Sequence, residues 1–471
     1  MNPLQFLRDD EIEEIHQTSL RLLFELGVEM TLPTAVEMLC DHGALQKGNR
    51  VLIPPDLVEE CVAQCPPRVT LCGRDAQQAI TLGDGSLSLH NVGGVPNVYD
   101  PATNTRRRAT RQDNMQAARL LDALPNVTAL ASIYTPGDVA ADLYPLWMYF
   151  DTVSNTTKPV HPPGTQTAAT ARMLAELVQI ACPETECGQH QIPISPISPL
   201  VFPDDLVEAI LEVARTGWVF EPLPCPIVGA TAPMSLAGAV MQQNAESLAA
   251  IVLAQLAAPG LPVVYHGRLS VMDPRSGLSI WGSPEIGVMS AATVQMGHYY
   301  HLPVNVYGFC TSAQPLNIQN GYERAINALV PVMAGADEIS GVGEMDGGVM
   351  SSLAQMVIDD EIMGSLRRIR RGFAVDKDSM ALEVIKAVIE GGAGNFLAEM
   401  HTVRYLRAGE LFGAGLAMRQ GFGEWQAAGQ PSIVRRATDQ AGQLLAEHQV
   451  PPLSEDQKAA MLAVIEAAAK T

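Results

Sequence analysis

Positive charge is scarce in this chain. Its 30 Lys and Arg stand against 51 Asp and Glu, a formal net charge of −21 over 471 residues. That balance repels nucleic-acid phosphates and anionic lipid headgroups, so neither a nucleic-acid partner nor a membrane is expected. No uninterrupted apolar run approaches the ~18 residues of a membrane helix. The opening MNPLQFLRDDEIEEIHQ lacks the basic and apolar regions of a secretory leader. A soluble, cytoplasmic protein is expected. The eight cysteines include no C-x-x-C and no Cys/His set at zinc spacing, so they read as reduced, mostly buried thiols. H-E-x-x-H, G-x-S-x-G, a Walker loop and a true G-x-G-x-x-G are also missing, which removes the familiar protease, hydrolase and nucleotide signatures. The acids and histidines are dispersed along the chain, and no resident metal is expected, although a barrel mouth could gather such residues.

What is present is an apolar chain with a rhythm. Hydrophobic residues make up 47% and charged residues only 17%, enough for a large core and against broad disorder. From residue 86, short β-like runs recur: SLSLHNVGG, VTALASIYTP, KPVHPPG, IPISPISPL, CPIVGATAP, PVVYHGRLS, PVNVYGFC and DEISGVGEM. Helical stretches such as ATRQDNMQAARLLDAL and TAATARMLAELVQIA lie between them. Eight strand–helix units in about 280 residues predict an α/β fold, a (β/α)₈ TIM barrel. The expected divisions are an N-terminal helical preface over 1–85, the barrel over 86–375 and a C-terminal helical extension over 376–471.

In such barrels the active site lies at the C-terminal ends of the strands. The residues expected there are His90, Asn91, Tyr134, His161, Ser198, Thr231, His266, Arg268, Tyr307 and Cys310, then Glu344 and Asp346. Alternation along a strand lets only about half of these face inward. Glu344 and Asp346 stand out because they come two apart in GVGEMDGG, where same-parity spacing puts both on one face if the strand persists. Their bland role is capping of the following helix. For the histidines it is a structural hydrogen bond, and for the tyrosines a place in the barrel wall.

Several longer stretches carry a resemblance. GATAPMSLAGAVMQQNAESLAAIVLAQLAAPGLPVVYHG (229–267), GSPEIGVMSAATVQMGHYYHLP (282–303), IQNGYERAINALVPVMAGADEI (318–339), SLAQMVIDDEIMGSLRRIRRGF (352–373) and FLAEMHTVRYLR (396–407) together resemble the trimethylamine methyltransferase family of corrinoid-dependent methyltransferases. The resemblance implies a (β/α)₈ barrel holding a methylated amine, with a separate corrinoid protein docked over the mouth to take a methyl on cobalt(I). The corrinoid (cobalamin) belongs to that partner, and no cofactor is expected to bind this chain tightly. No pyrrolysine occurs in the sequence, so the chain resembles the branch acting on quaternary amines such as glycine betaine.

A quaternary nitrogen already carries the charge that lets a neutral amine leave, so the enzyme has mainly to desolvate and aim it. Aromatic faces suit such a cation; Tyr134, Tyr307, Phe309 and, more weakly, Trp281 are the rings available. Glu344 and Asp346 are the expected catalytic pair. Tyr134, His266, Arg268, Tyr307, Phe309, Cys310, His90, His161 and Thr231 are the expected substrate contacts. Where relatives read like T-D-S-K-x-P-D-A-Q, this chain reads TSAQPLNIQ (311–319), a departure that loosens any residue-level transfer. A homo-oligomer is expected. The alternatives are a different TIM-barrel enzyme and a non-catalytic methylated-amine binding protein.

Overall fold

A computed structural model describes residues 3–183, 190–392 and 394–470. Eight short parallel strands form the centre: β1 (Ser88–Asn91), β2 (Leu130–Ala131), β3 (Val160–His161), β4 (Gln191–Ile194), β5 (Val219–Pro222), β6 (Tyr265–Gly267), β7 (Val304–Tyr307) and β8 (Glu338–Val342). Pairing runs β2–β3, β4–β5 and β6–β7–β8, and β8 returns parallel to β1, closing the ring. The amide of Thr128 donates to Leu89 beside β2, and Phe220 bridges to Val263 ahead of β6. Each strand is followed by a barrel helix: α1 (Arg111–Ala123), α2 (Tyr144–Val153), α3 (Ala168–Ala181), α4 (Asp204–Thr216), α5 (Leu236–Ala257), α6 (Pro284–Tyr299), α7 (Ile318–Ala334) and α8 (Leu353–Arg371). The fold is the expected (β/α)₈ barrel. The fifth strand is displaced from its expected place: VFEP forms it, whereas Ile227–Val228 in CPIVGATAP pairs with Ser270–Met272 in a loop excursion.

Period-two alternation decides what the barrel encloses. Leu89, Phe220, Val306 and Ile339 point out into the helix layer and are fully buried there. Their neighbours Ser88, His90, Glu221, Asn305, Tyr307, Glu338 and Ser340 point inward. The N-terminal end of the barrel is plugged by a hairpin, Val69–Leu71 with Ile80–Leu82, whose side chains pack on Val219 and Val264. That hairpin and a three-stranded sheet (Val28–Glu29, Leu45–Lys47, Arg50–Leu52) show that the preface is not purely helical.

Helices α5 and α6 are apolar around much of their circumference and need cover on both sides. The preface helix Asp9–Glu25 supplies it: Ser19 Oγ donates to the Met241 carbonyl, and His16 meets Tyr300 at 2.9 Å. At the other end of the chain, helix Ile433–Glu447 packs on α8 and α1, and helix Glu455–Ala468 packs on α3. Between α8 and these helices, the described residues of 373–431 carry three short helices and expose Phe373, Leu397 and Phe422. Among the described residues no helix is long and apolar enough to cross a membrane. Cys61, Cys65 and Cys310 are buried thiols, but Cys72 is disulfide-bonded, a correction to the all-reduced expectation. Cys187 lies outside the described residues.

Candidate active site

A cavity of about 310 Å³ opens at the C-terminal ends of the strands, at the lower end of the ~300–1,000 Å³ usual for small-molecule sites. His90, His161, Glu221 and His266 line its deeper part, with Arg268, Tyr307 and Ser340 on one wall. The opposite wall is made of Gly93, Gly94, Met148, Tyr144 and the Pro162–Gly164 turn. One side of the cavity is therefore charged, and the other is uncharged, its glycine, proline and methionine surfaces interspersed with Asn91, Ser132, Thr135 and Gln166.

Glu221 is the hub of the charged side. Its Oε1 lies 2.5 Å from His266 Nδ1 and accepts from Asn305 Nδ2 at 2.8 Å. Burial works to raise this carboxyl, but the facing imidazole of His266 outweighs it and holds the group below its ordinary value. Asn305 Nδ2 also sits 3.0 Å from His90 Nε2, linking the two histidines through one amide. Beneath them Glu338 accepts from Gln191 Nε2 and Ser88 Oγ, each at 3.2 Å. Burial pushes Glu338 upward, yet His90 and His161 overcome it and hold the group at about 2. Burial pushes His90 down to about 4, so it is neutral at pH 7. For His161 burial also acts downward, but the Glu338 carboxylate more than offsets it and the group is raised.

Arg268 follows β6, two residues beyond His266 toward the mouth. Its guanidinium lies 4.2 Å from the Tyr307 ring centroid and 5.2 Å from that of Trp281, which meets Tyr307 edge-on. Its Nε has no hydrogen-bond partner, and among the described residues no carboxylate lies within ion-pairing distance of it. Two of the aromatic faces expected to receive a substrate cation, those of Tyr307 and Trp281, are therefore already covered by the protein's own cation.

Of the residues expected from the sequence, the structure brings His90, His161, His266, Arg268 and Tyr307 to this cavity, and Asn91 with them. The others lie elsewhere. Gly341 and Gly343 take φ of 112° and 82°, which turns the chain away from the barrel strand before Glu344, and Asp346 itself takes φ of 52° as it opens a 3₁₀ turn, which ends the alternation between the two acids. Glu344 then turns into the wall, wholly buried, accepting from the backbone of Thr311 and Gly348 and lying 3.6 Å from Arg324. Asp346 stays on the rim, accepting from Gln314 and standing 3.9 Å from Arg106. Tyr134 borders a separate cavity on the barrel flank, with Tyr99, Arg107 and Asp113. Phe309 and Cys310 are completely buried in the core, and burial drives the Cys310 thiol well above its ordinary value. Thr231 sits in the excursion after β5, where its hydroxyl accepts from the Ile227 amide. Ser198 donates to Glu246 at 2.7 Å and is likewise absent from the cavity lining.

Sequence reasoning missed Glu221, Glu338, Asn305 and Gln191. The usable signal was a lone polar residue inside an otherwise apolar strand, as in VFEP and VNVY, since such groups are buried only when partnered.

The family model described as trimethylamine methyltransferase (MTTB) matches residues 1–470. This chain belongs to the trimethylamine methyltransferase family. It is 30% identical over 463 residues to the trimethylamine methyltransferase MttB of Desulfitobacterium hafniense, covering 97% of this chain and 92% of that one. It is 27% identical over 465 residues to the glycine betaine methyltransferase of D. hafniense strain Y51, covering 98% and 96%. The crystal structure of the Methanosarcina barkeri monomethylamine methyltransferase superposes with a TM-score of 0.55 at 13% identity, covering 94% of this chain and 88% of that one. At that identity the likeness is one of fold. Family membership makes the protein a methyltransferase enzyme.

Proposed function

We propose that the chain transfers a methyl group from a carboxylated quaternary amine of the glycine betaine class to the cobalt(I) corrinoid of a separate protein. The observation that carries the reading is Arg268: a guanidinium on the cavity wall, stacked on Tyr307 and without a carboxylate of its own. A substrate carboxylate supplies that partner as a charge-assisted, bidentate-capable pair. The trimethylammonium end then falls against the wall of Gly93, Gly94, Met148 and Tyr144, where small or apolar surfaces accept methyl groups. A bare trimethylamine would leave Arg268 unmatched.

A corrin ring is far larger than a 310 Å³ cavity, so the acceptor has to approach over the mouth. The Gly93–Gly94 and Pro162–Gly164 edges carry no long side chain to obstruct it. The corrinoid supplies the two-electron nucleophile. A cobalt–carbon bond would form from the cobalt(I) electron pair as the N–CH₃ bond breaks with its own pair remaining on nitrogen, and a neutral tertiary amine leaves. No proton moves, so Glu221 and Glu338 need not act as acids. Their work is electrostatic positioning of the floor around the substrate. Substrate charge is lost as the methyl departs, and an unpaired carboxylate next to the ammonium would stabilise the ground state more than the transition state. Pairing Glu221 with His266, and Glu338 with His161, limits that penalty.

The test is methyl transfer to reduced cobalamin or to a cognate corrinoid protein, offering glycine betaine, proline betaine, carnitine, choline, tetramethylammonium and trimethylamine in turn. Turnover confined to carboxylated substrates, with Arg268→Ala raising KM for these, supports the proposal. Equal use of tetramethylammonium or trimethylamine overturns the carboxylate reading. Silence across the panel with the cognate corrinoid protein overturns the whole assignment.

A further inference from the structure

We infer that His90, His161 and Glu338 form a binding site for one divalent metal ion of the zinc class in the barrel floor. The three come from β1, β3 and β8, far apart in sequence, and each offers one ligand atom within 4.8 Å of the other two. All three are buried, at 8%, 4% and 0% exposure, so the cluster is not a solvated patch of the surface.

The groups around the cluster are arranged as those behind a metal ligand usually are. His90 Nδ1 pairs with the Asn91 carbonyl at 2.8 Å, which fixes the proton there and leaves the Nε2 lone pair facing inward. Both oxygens of Glu338 are steadied by outer partners, Ser88 Oγ and Gln191 Nε2. His161 Nε2 is buried and makes no hydrogen bond of ordinary length. It stands 3.6 Å from Glu338 Oε1, well beyond the ~2.7–2.9 Å of a charge-assisted hydrogen bond. A shared proton bridges that gap poorly, whereas an ion bound at ~2.0–2.2 Å to each ligand atom spans it. On metal binding Asn305 gives up its contact with His90 and keeps its bond to Glu221.

Two imidazoles and one carboxylate suit zinc and its first-row neighbours, not calcium or magnesium. His90 and His161 also line the cavity, whereas Glu338 lies behind them. The remaining coordination position therefore faces the cavity and takes an oxygen ligand, either water or a carboxylate. The inference stands apart from the proposed methyl transfer, because its readouts are metal content and stability.

The experiment uses the full chain, stripped with a chelator, dialysed against micromolar zinc and measured by elemental analysis and thermal melting. The expected result is about one zinc per chain with a raised Tm. His161→Gln and Glu338→Gln should each weaken binding more than about tenfold, while His401→Gln, on a helix with no buried residue, leaves it unchanged. Stoichiometry far below one, or equal retention by both variants, overturns the site. Should those variants fail to fold, cobalt(II) added to the stripped wild type decides. Visible ligand-field bands of a low-coordinate, imidazole-bound ion support the site, and the spectrum of aqueous cobalt overturns it.

Discussion

Arg324 Nη1 lies 3.0 Å from a carboxylate oxygen of Asp359, and both side chains are fully buried. Arg324 belongs to α7 and Asp359 to α8. The same guanidinium reaches the Phe309 carbonyl at 3.1 Å and Glu344 at 3.6 Å, so one cation ties two helices to the ends of β7 and β8. Removing it leaves two buried acids facing each other. Arg324→Met should therefore destabilise the fold by about 3–5 kcal/mol, read from denaturant unfolding. A loss below about 1 kcal/mol would show that water or rearrangement satisfies the acids.

Glu344 sits in that network and away from the cavity, so Glu344→Gln is expected to alter stability more than turnover. Its pH dependence has a definite sign. Burial pushes Glu344 up to about 8, against the Arg324 charge and two backbone N–H donors. The folded state therefore binds more protons than the unfolded state between about 4.5 and 8. Its contribution to stability falls as pH rises through that window, with a slope of up to about 1.4 kcal/mol per pH unit. Subtracting the Glu344→Gln curve from wild type isolates it. A flat or rising difference would contradict the assignment.

Glu221→Gln replaces an ionised acceptor shared by His266 and Asn305. Loss of about 1–3 kcal/mol of positioning energy corresponds to roughly a 10–100-fold fall in kcat/KM. His266→Gln should give a comparable fall, and the double variant little more than either single one, because the two side chains act as a unit. Additive losses in the double variant would separate their roles.

Gly267 lies on β6 between His266 and Arg268. A Cβ there would come within 2.3 Å of Gln243 Nε2 and 2.6 Å of Thr293 Cγ2, both fully or nearly fully buried. Gly267→Ala should destabilise the protein by about 1–3 kcal/mol and lower activity by displacing the two flanking side chains. Unchanged Tm and kcat would mean that α5 and α6 yield to accommodate the methyl group.

The architecture was readable because each strand–helix unit announces itself locally. Apolar runs such as PVNVY alternate with helical stretches whose buried positions recur every three or four residues. The fifth unit went astray because CPIVGATAP looks more strand-like than VFEP, whose central acid disguises a barrel strand. His90, His161 and His266 could be found as strand ends. Glu221 and Glu338 were harder to see, because an acid inside a short apolar run or at its start reads as a strand boundary until the closed ring supplies its partners from other strands. Glu344 and Asp346 misled for a related reason: period two holds only while the backbone stays extended, and the positive φ of Asp346, at the start of a 3₁₀ turn, ends it between the two acids. The empty partnership of Arg268 has no sequence signature at all, since it is a property of what surrounds the residue.

The seam between β8 and β1 sets the order in which this enzyme comes into being. Ser88 and Glu338 pair across it, 250 residues apart. A nascent chain emerging from the ribosome has made seven of the eight strands before Glu338 is available, and until then the floor has one side open. The pocket thus cannot exist before residue 338 is made, and a product stalled short of it has no closed version of the floor.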